Sequence, residues 1–315
     1  MNPVRSSVEF VVQRSHCVRF DPQAAEAFVQ ERIHHSFDLP AWQADYHFID
    51  GTPRTVVYVL VLDSLNFCFW GRPRWEIEYN GKRLDGYFAL SASLKRAFEQ
   101  GQPLDDAAYL ANITQPQLAR ILAGSGEIPL LAERVQILRE VGAILLRHFR
   151  GQATRLVESA GGSALKLLDL LVEHFPNFRD DVLYQGQRVF LYKRAQILCA
   201  DLYWTFAGKR WGALTDMDQL TAFADYKLPQ LLRAHGVLQY EPALAEKVDQ
   251  YVELPAGSPE EVEIRAHTVH AVEQLKALFA KQGKNLPSYQ IDWLLWNWSL
   301  DIKAKPYHRT RTTFY

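Results

Sequence analysis

Apolar positions recur at helical spacing along most of the chain. Asp21-Pro22 reads as a helix start, with Asp21 as N-cap and Pro22 at the first helical position. Ala25, Phe28, Val29 and Ile33 follow on one face, and Pro40 ends the segment. Residues 42–53, aromatic and carrying His47, read as an irregular loop. Residues 55–62 are β-branched and apolar on both faces, which predicts a buried strand. Asn80-Gly81, between residues 75–79 and 82–84, is a two-residue hairpin signal. Together these predict a small sheet over about residues 55–90, with residues 187–191 the one further strand candidate.

Beyond residue 90 the pattern is helical. Leu90, Leu94, Ala97 and Phe98 share a face, and Thr114-Gln115-Pro116 opens a helix through Leu122. Residues 129–149 form a long amphipathic repeat. Further helices are predicted over 164–175, 192–206, 220–223, 228–234, 262–279 and 289–300. Gly161-Gly162, Gly208 and Gly257-Ser258-Pro259 break the pattern but are too short to link domains. The expectation is a mainly α fold with a small β-sheet, one compact domain over 1–315. It comprises a helix and loop over 1–54, the sheet over about 55–90 and a helical body over 91–315.

Composition narrows the class. The 315 residues carry a formal net charge of -1, so no global field draws long nucleic acid. Cys17, Cys68 and Cys199 are far apart, which argues against a disulfide framework or structural zinc and for a reduced compartment. The N-terminus has no apolar leader, and the most apolar stretch, residues 56–62, is far short of the ~20 residues a membrane helix needs. A soluble, cytoplasmic protein is expected. Aromatic content stands out, with 8 Trp, 14 Tyr and 17 Phe. Most of these fill a core, but such rings also stack on bases.

Familiar nucleotide, protease and hydrolase motifs are absent from the sequence. His34-His35 point to different faces, and His267 and His270 have metal-compatible spacing but no third partner nearby, so no metal site is expected. Four acids sit in apolar or aromatic surroundings: Asp63, Asp201, Asp225 and Asp292. A charged carboxylate there is costly unless paired or hydrogen-bonded. Each could equally be a helix cap or half of a buried ion pair, and Asp225 could cap a helix starting near Pro229. Asp292 and Trp296 are four apart on one helical face. A carboxylate beside an indole can take the N–H edge of a guanine-type ring while the indole covers its face. Lys193, Arg194 and Lys227 could bind a phosphate or neutralise these acids.

The blocks Val61-Leu62-Asp63-Ser64-Leu65-Asn66-Phe67-Cys68-Phe69-Trp70, Tyr192-Lys193-Arg194-Ala195-Gln196-Ile197-Leu198 and Phe223-Ala224-Asp225-Tyr226-Lys227-Leu228-Pro229-Gln230, with Val262-Glu263-Ile264-Arg265 and Pro306-Tyr307-His308-Arg309, resemble the queuosine salvage protein family. The resemblance runs from about residue 50 to the C-terminus. It implies a queuosine 5′-phosphate N-glycosylase with a fold related to the helix-hairpin-helix DNA glycosylases. It implies Asp225 as catalytic carboxylate, Phe223 against the base, Asp292 as a second acid and His47 as a contributing histidine. Relatives can carry an acid where Asn297 stands, which adds Asn297 to the candidate contacts.

Cleaving an N-glycosidic bond develops positive charge on the ribose. A carboxylate beneath the anomeric carbon stabilises it best where water is excluded. Asp225 takes that place in this reading, as nucleophile, electrostatic partner or base. A leaving 7-deazapurine has no N7 to protonate, so its other edge atoms must be stabilised, with Phe223 and Trp296 stacking on the ring. Asp201 is a candidate partner for the cationic secondary amine of the base's side arm, and Lys193, Arg194 and Lys227 for a 5′-phosphate. No cofactor is implied. The expected partner is a small nucleotide bound by a monomer, with neither membrane nor long nucleic acid involved. Two rivals remain: a helix-hairpin-helix DNA repair glycosylase and a non-catalytic nucleotide-binding module.

Overall fold

The computed structural model describes residues 2–38 and 45–315. The expected helix end at Pro40 and the first part of the aromatic loop from Trp42 lie outside the described residues. Helix α1 (Pro3–Val12) starts on Asn2, which accepts from the Val4 N–H, and α2 (Pro22–Arg32) starts on Asp21, which accepts from Ala24. Both have proline in the first turn. The second is the helix the sequence predicts; the first is not predicted, although it carries the same signal. Between them β1 (Val18–Phe20) pairs antiparallel with residues 238–240.

Residues 55–62 are not a strand. They lie in α3 (Pro53–Ser64), capped by Thr52 with Pro53 in its first turn. Every residue from Thr55 to Ser64 is buried. A helix that is apolar all round belongs in a core, and packing there outweighs the modest helix penalty of β-branched residues. The expected sheet over 55–90 therefore shrinks to one hairpin, β2 (Glu76–Tyr79) and β3 (Lys82–Asp85). Its turn is the predicted Asn80-Gly81, with φ of 50 and 72 degrees at the two residues, as a type I′ turn requires.

The helical body follows: α4 (Gly86–Glu99), α5 (Ala107–Asn112), α6 (Gln115–Ile121), α7 (Leu131–Phe149), α8 (Ala153–Ser159) and α9 (Ala164–His174). A Cβ at Gly142 of α7 would lie 2.3 Å from the Ala111 nitrogen, so only glycine permits the close approach of α5. The hairpin β4 (Asp181–Tyr184) and β5 (Gln187–Phe190) contains the anticipated strand near 187. Then come α10 (Lys193–Thr205), α11 (Lys227–Ala234), β6 (Leu238–Tyr240), α12 (Pro242–Asp249), α13 (Pro259–Lys281) and α14 (Ser288–Ser299). Helix α3 packs against α10, and α11 against both α13 and α14. Most buried apolar side chains form one large core, and Val18, Leu244, Val248, Leu254 and Ile264 form a small second cluster. Among the described residues, no helix is long and apolar enough to cross a membrane.

Candidate active site

Residues 220–223, predicted as a helix, have no regular secondary structure, and side chains from several helices hold this strip. The Thr221 N–H donates to Gln196 Oε1 of α10 (2.8 Å), and the Phe223 N–H to Asp292 Oδ1 of α14 (2.7 Å). Arg265 Nε of α13 donates to the Ala224 carbonyl (3.0 Å), while its guanidinium pairs with the buried Asp180 at 2.6 Å. Backbone groups that a helix would satisfy internally are thus satisfied from outside, as burial demands. The strip ends at Asp225, whose Oδ1 accepts from the N–H groups of Lys227 (2.7 Å) and Leu228 (3.1 Å) at the entry to α11. Asp225 is therefore the helix cap that the sequence allows. Both bonds fall on one oxygen, and the side chain, 8% exposed, also borders a cavity.

That cavity, of about 510 Å³, is large enough for a nucleotide. Asp225, Asp292, Asp201 and Lys193 line its polar side. Burial, and then the neighbouring Asp225, push the Asp292 carboxyl up to about 8, against the pull of the Phe223 N–H and of Lys193. Lys193 is buried and donates to the Asn66 carbonyl (3.2 Å). Desolvation lowers its ammonium, while Asp225, Asp63 and Asp292 raise it, so this cation sits among three acids. Asp201 lies two turns along α10 from Lys193 and faces Asp63 at the end of α3. Desolvation also lowers Lys227, whose Nζ donates to Gln230 Oε1 (2.9 Å).

The apolar side is aromatic. Phe223, Phe67, Phe69 and Trp296 line it, and the Trp296 ring lies 5.7 Å from Phe88 and 6.0 Å from Tyr87. Asn297 borders the cavity one residue on from Trp296, and its amide donates to the Trp293 carbonyl of its own helix (2.8 Å). His47 also lines the cavity, with Nε2 at 2.9 Å from the Tyr87 hydroxyl. Of the residues expected at the site, Arg194 alone does not line the cavity. Its guanidinium is buried behind the wall and donates to the carbonyls of Asp63, Ser64 and Asn177. Arg134 does the same for the carbonyls of Leu65, Phe67 and Cys68. Two buried guanidiniums thus hold the chain where it leaves α3 and presents Asn66, Phe67, Phe69 and Trp70 to the cavity.

A family model described as queuosine salvage protein matches residues 46–315. The chain belongs to this family. It is 50% identical over 318 residues to a Sphaerobacter thermophilus protein named queuosine 5′-phosphate N-glycosylase/hydrolase, an alignment covering 99% of this chain and 97% of that one. Proteins of the same name from Mus musculus and Schizosaccharomyces pombe are 38% and 30% identical, covering 99% and 98% of this chain and 98% and 94% of their own.

Residues that sequence reasoning did not single out also line the cavity of this queuosine salvage chain. Tyr87 reaches the cavity from the start of α4, and Tyr307 and Tyr315 from the C-terminal segment, where the Tyr307 ring packs tilted against Tyr226 with centroids 4.8 Å apart. The blocks containing Arg265 and Tyr307 carry the family resemblance, but nothing in their spacing assigns them a task. Among the described residues no group of three or more His, Cys, Asp or Glu is gathered for a metal ion; His267 Nε2 lies 2.7 Å from the Ser15 hydroxyl. The arrangement pairs an aromatic slot with several buried carboxyls and one buried ammonium. It can hold a flat heteroaromatic ring and place a carboxylate beside an electron-poor carbon.

Proposed function

We infer that this chain hydrolyses the N-glycosidic bond of queuosine 5′-monophosphate and releases the base queuine. The observation that carries the reading is the convergence of Asp225, Phe223, Asp292, Trp296 and His47 on one cavity, in a chain 50% identical to a named queuosine 5′-phosphate N-glycosylase/hydrolase. Phe223 and Trp296 sandwich or flank the deazaguanine ring, and Asp292 faces its polar edge. Asp225 stands beneath the anomeric carbon. Its capping bonds fix the carboxylate before substrate arrives, so little reorganisation accompanies charge development on the ribose.

Lys193 offsets the charge of the surrounding acids, Asp225 among them. That leaves Lys227, beside the same cavity and only partly buried, to meet the 5′-phosphate. Arg194 takes no part in binding, because its guanidinium lies behind the cavity wall with its terminal nitrogens donating to carbonyls. His47 with Tyr87, and Asn297, offer further polar contacts to the base and its side arm. Kinship with the helix-hairpin-helix DNA glycosylases belongs to the same reading, supported by the helical body and by Asp225 at the entry to α11. So does a cytoplasmic monomer working without cofactor.

Incubation of the protein with queuosine 5′-monophosphate, followed by chromatography, tests the reading. Free queuine and ribose 5-phosphate in equal amounts are expected, with slower release from the unphosphorylated nucleoside. Binding without release would favour the non-catalytic module.

A further inference from the structure

We propose that Asp63 and Asp201 share a single proton, so that Asp201 presents an O–H donor to the cavity and steadies the negative charge that develops on the departing base. The proposal rests on the N-glycosidase reading above. Asp63 lies in the last turn of α3 and is 0% exposed, and Asp201 lines the cavity from α10, the helix packed against α3. The two carboxyls face each other closely enough to exchange a hydrogen bond if one holds a proton. No hydrogen bond of ordinary geometry reaches either Asp63 oxygen among the described residues, although the nearby Asn66 side chain, like Asp201, favours its ionised form. Two adjacent carboxylates in a dry site cannot both ionise at modest cost, whereas one proton between them satisfies both.

The surrounding charges do not undo this. Lys193 and Arg194 on α10 favour ionisation of Asp63, and Lys193 favours that of Asp201. Lys193 is shared with Asp225 and Asp292, and the terminal nitrogens of Arg194 donate to main-chain carbonyls and to the Asn177 side chain. The other facing titratable groups are the buried Tyr58 of α3 and Cys199 of α10 and the partly buried Tyr87 of α4, all pushed towards their neutral forms by desolvation. Burial, and then Asp63, hold the Asp201 carboxyl well above the ordinary carboxylate range.

This revises the role expected of Asp201 as an ionised partner for the side-arm amine. Ionising Asp201 would set a second bare charge against Asp63. As a neutral acid it complements Asp225 instead. When the C1′–N9 bond breaks, the electron pair passes to the base. The O–H of Asp201 donates a hydrogen bond to an acceptor atom of that base and keeps its proton. Water then supplies hydroxide to C1′ and its remaining proton to the base, which balances hydrolysis.

The test is the pH dependence of queuine release by the wild type and by Asp201→Asn, Asp201→Ala and Asp63→Asn. An amide still donates a hydrogen bond, so Asp201→Asn should keep kcat within roughly tenfold of wild type, while Asp201→Ala loses roughly a hundredfold or more. In the wild type kcat should fall at high pH, as the shared proton is lost. Asp63→Asn should move that fall to lower pH by about one unit, because the like charge is gone. A second reading is spectroscopic. Isotope-edited infrared spectra of Asp292→Asn at pH 7, in which Asp292 no longer contributes a carboxyl, should still contain a protonated carboxyl band that disappears at high pH. Asn as damaging as Ala, an unmoved pH limb in Asp63→Asn, or no protonated carboxyl would each overturn the proposal. A wild type that releases no queuine would instead defeat the N-glycosidase reading itself.

Discussion

At the residue scale, Asp225 and Asp292 are both buried acids, separated by what they touch. Asp225 caps α11 through two backbone N–H groups, whereas Asp292 takes one, from Phe223. Asp292→Ala is expected to raise KM roughly tenfold with a smaller effect on kcat, since it removes a contact made in ground and transition states alike. An unchanged KM would reduce Asp292 to a holder of the Phe223 backbone. Its protonation makes a second prediction. Burial first, and Asp225 second, raise Asp292 from 3.8 to about 8, so the folded state holds a proton that the unfolded state releases across that window. Stability is therefore lost as pH rises through it. Asp292→Asn, which keeps the acceptor for the Phe223 N–H, should gain more in Tm over wild type at pH 8 than at pH 5. An equal difference at the two pH values would contradict this account.

At the element scale, the strip over 220–225 owes its shape to side chains far away in sequence: Gln196, Asp292 and Arg265. A local apolar pattern does not contain that information, which is why Leu220, Ala222 and Phe223 read as one turn of helix. Helix α3 is the converse case. Its run of valines and leucines reads as strand by propensity, but its burial on every side is a property of the finished core. Where the signal is local, the sequence is legible: Asp21-Pro22 begins α2 and Asn80-Gly81 turns β2 into β3. The strip also supports a prediction. Arg265→Met removes the donor to Ala224 and leaves the Asp180 carboxylate buried without its closest cation. Loss of a buried ion-pair partner costs about 3–5 kcal/mol. Urea denaturation should register it, and queuine release should fall with the displaced Asp225. A variant of wild-type stability would mean that the strip holds its place without Arg265.

At the scale of the whole molecule, a net charge of -1 gives no global cationic field to draw a DNA backbone, in keeping with a small nucleotide as substrate. A gel-shift at physiological salt should find no retention of duplex DNA, and salt-sensitive binding would revive the repair-glycosylase alternative. Composition and spacing alone could nominate Asp63, Asp201, Asp225 and Asp292 but not rank them, because each is an acid among apolar neighbours. The family resemblance chose Asp225. The fold adds what neither supplies, with Asp63 behind Asp201, Arg194 turned away from the cavity, and Tyr87, Tyr307 and Tyr315 brought to its wall. The most direct test of the central claim is single-turnover release of queuine from queuosine 5′-monophosphate by Asp225→Asn. The substitution can keep the Oδ1 acceptor that caps α11, so the protein should fold and bind substrate as the wild type does, yet release should fall at least about a thousandfold. Release at the wild-type rate would contradict the assignment of Asp225 as the carboxylate that carries the reaction.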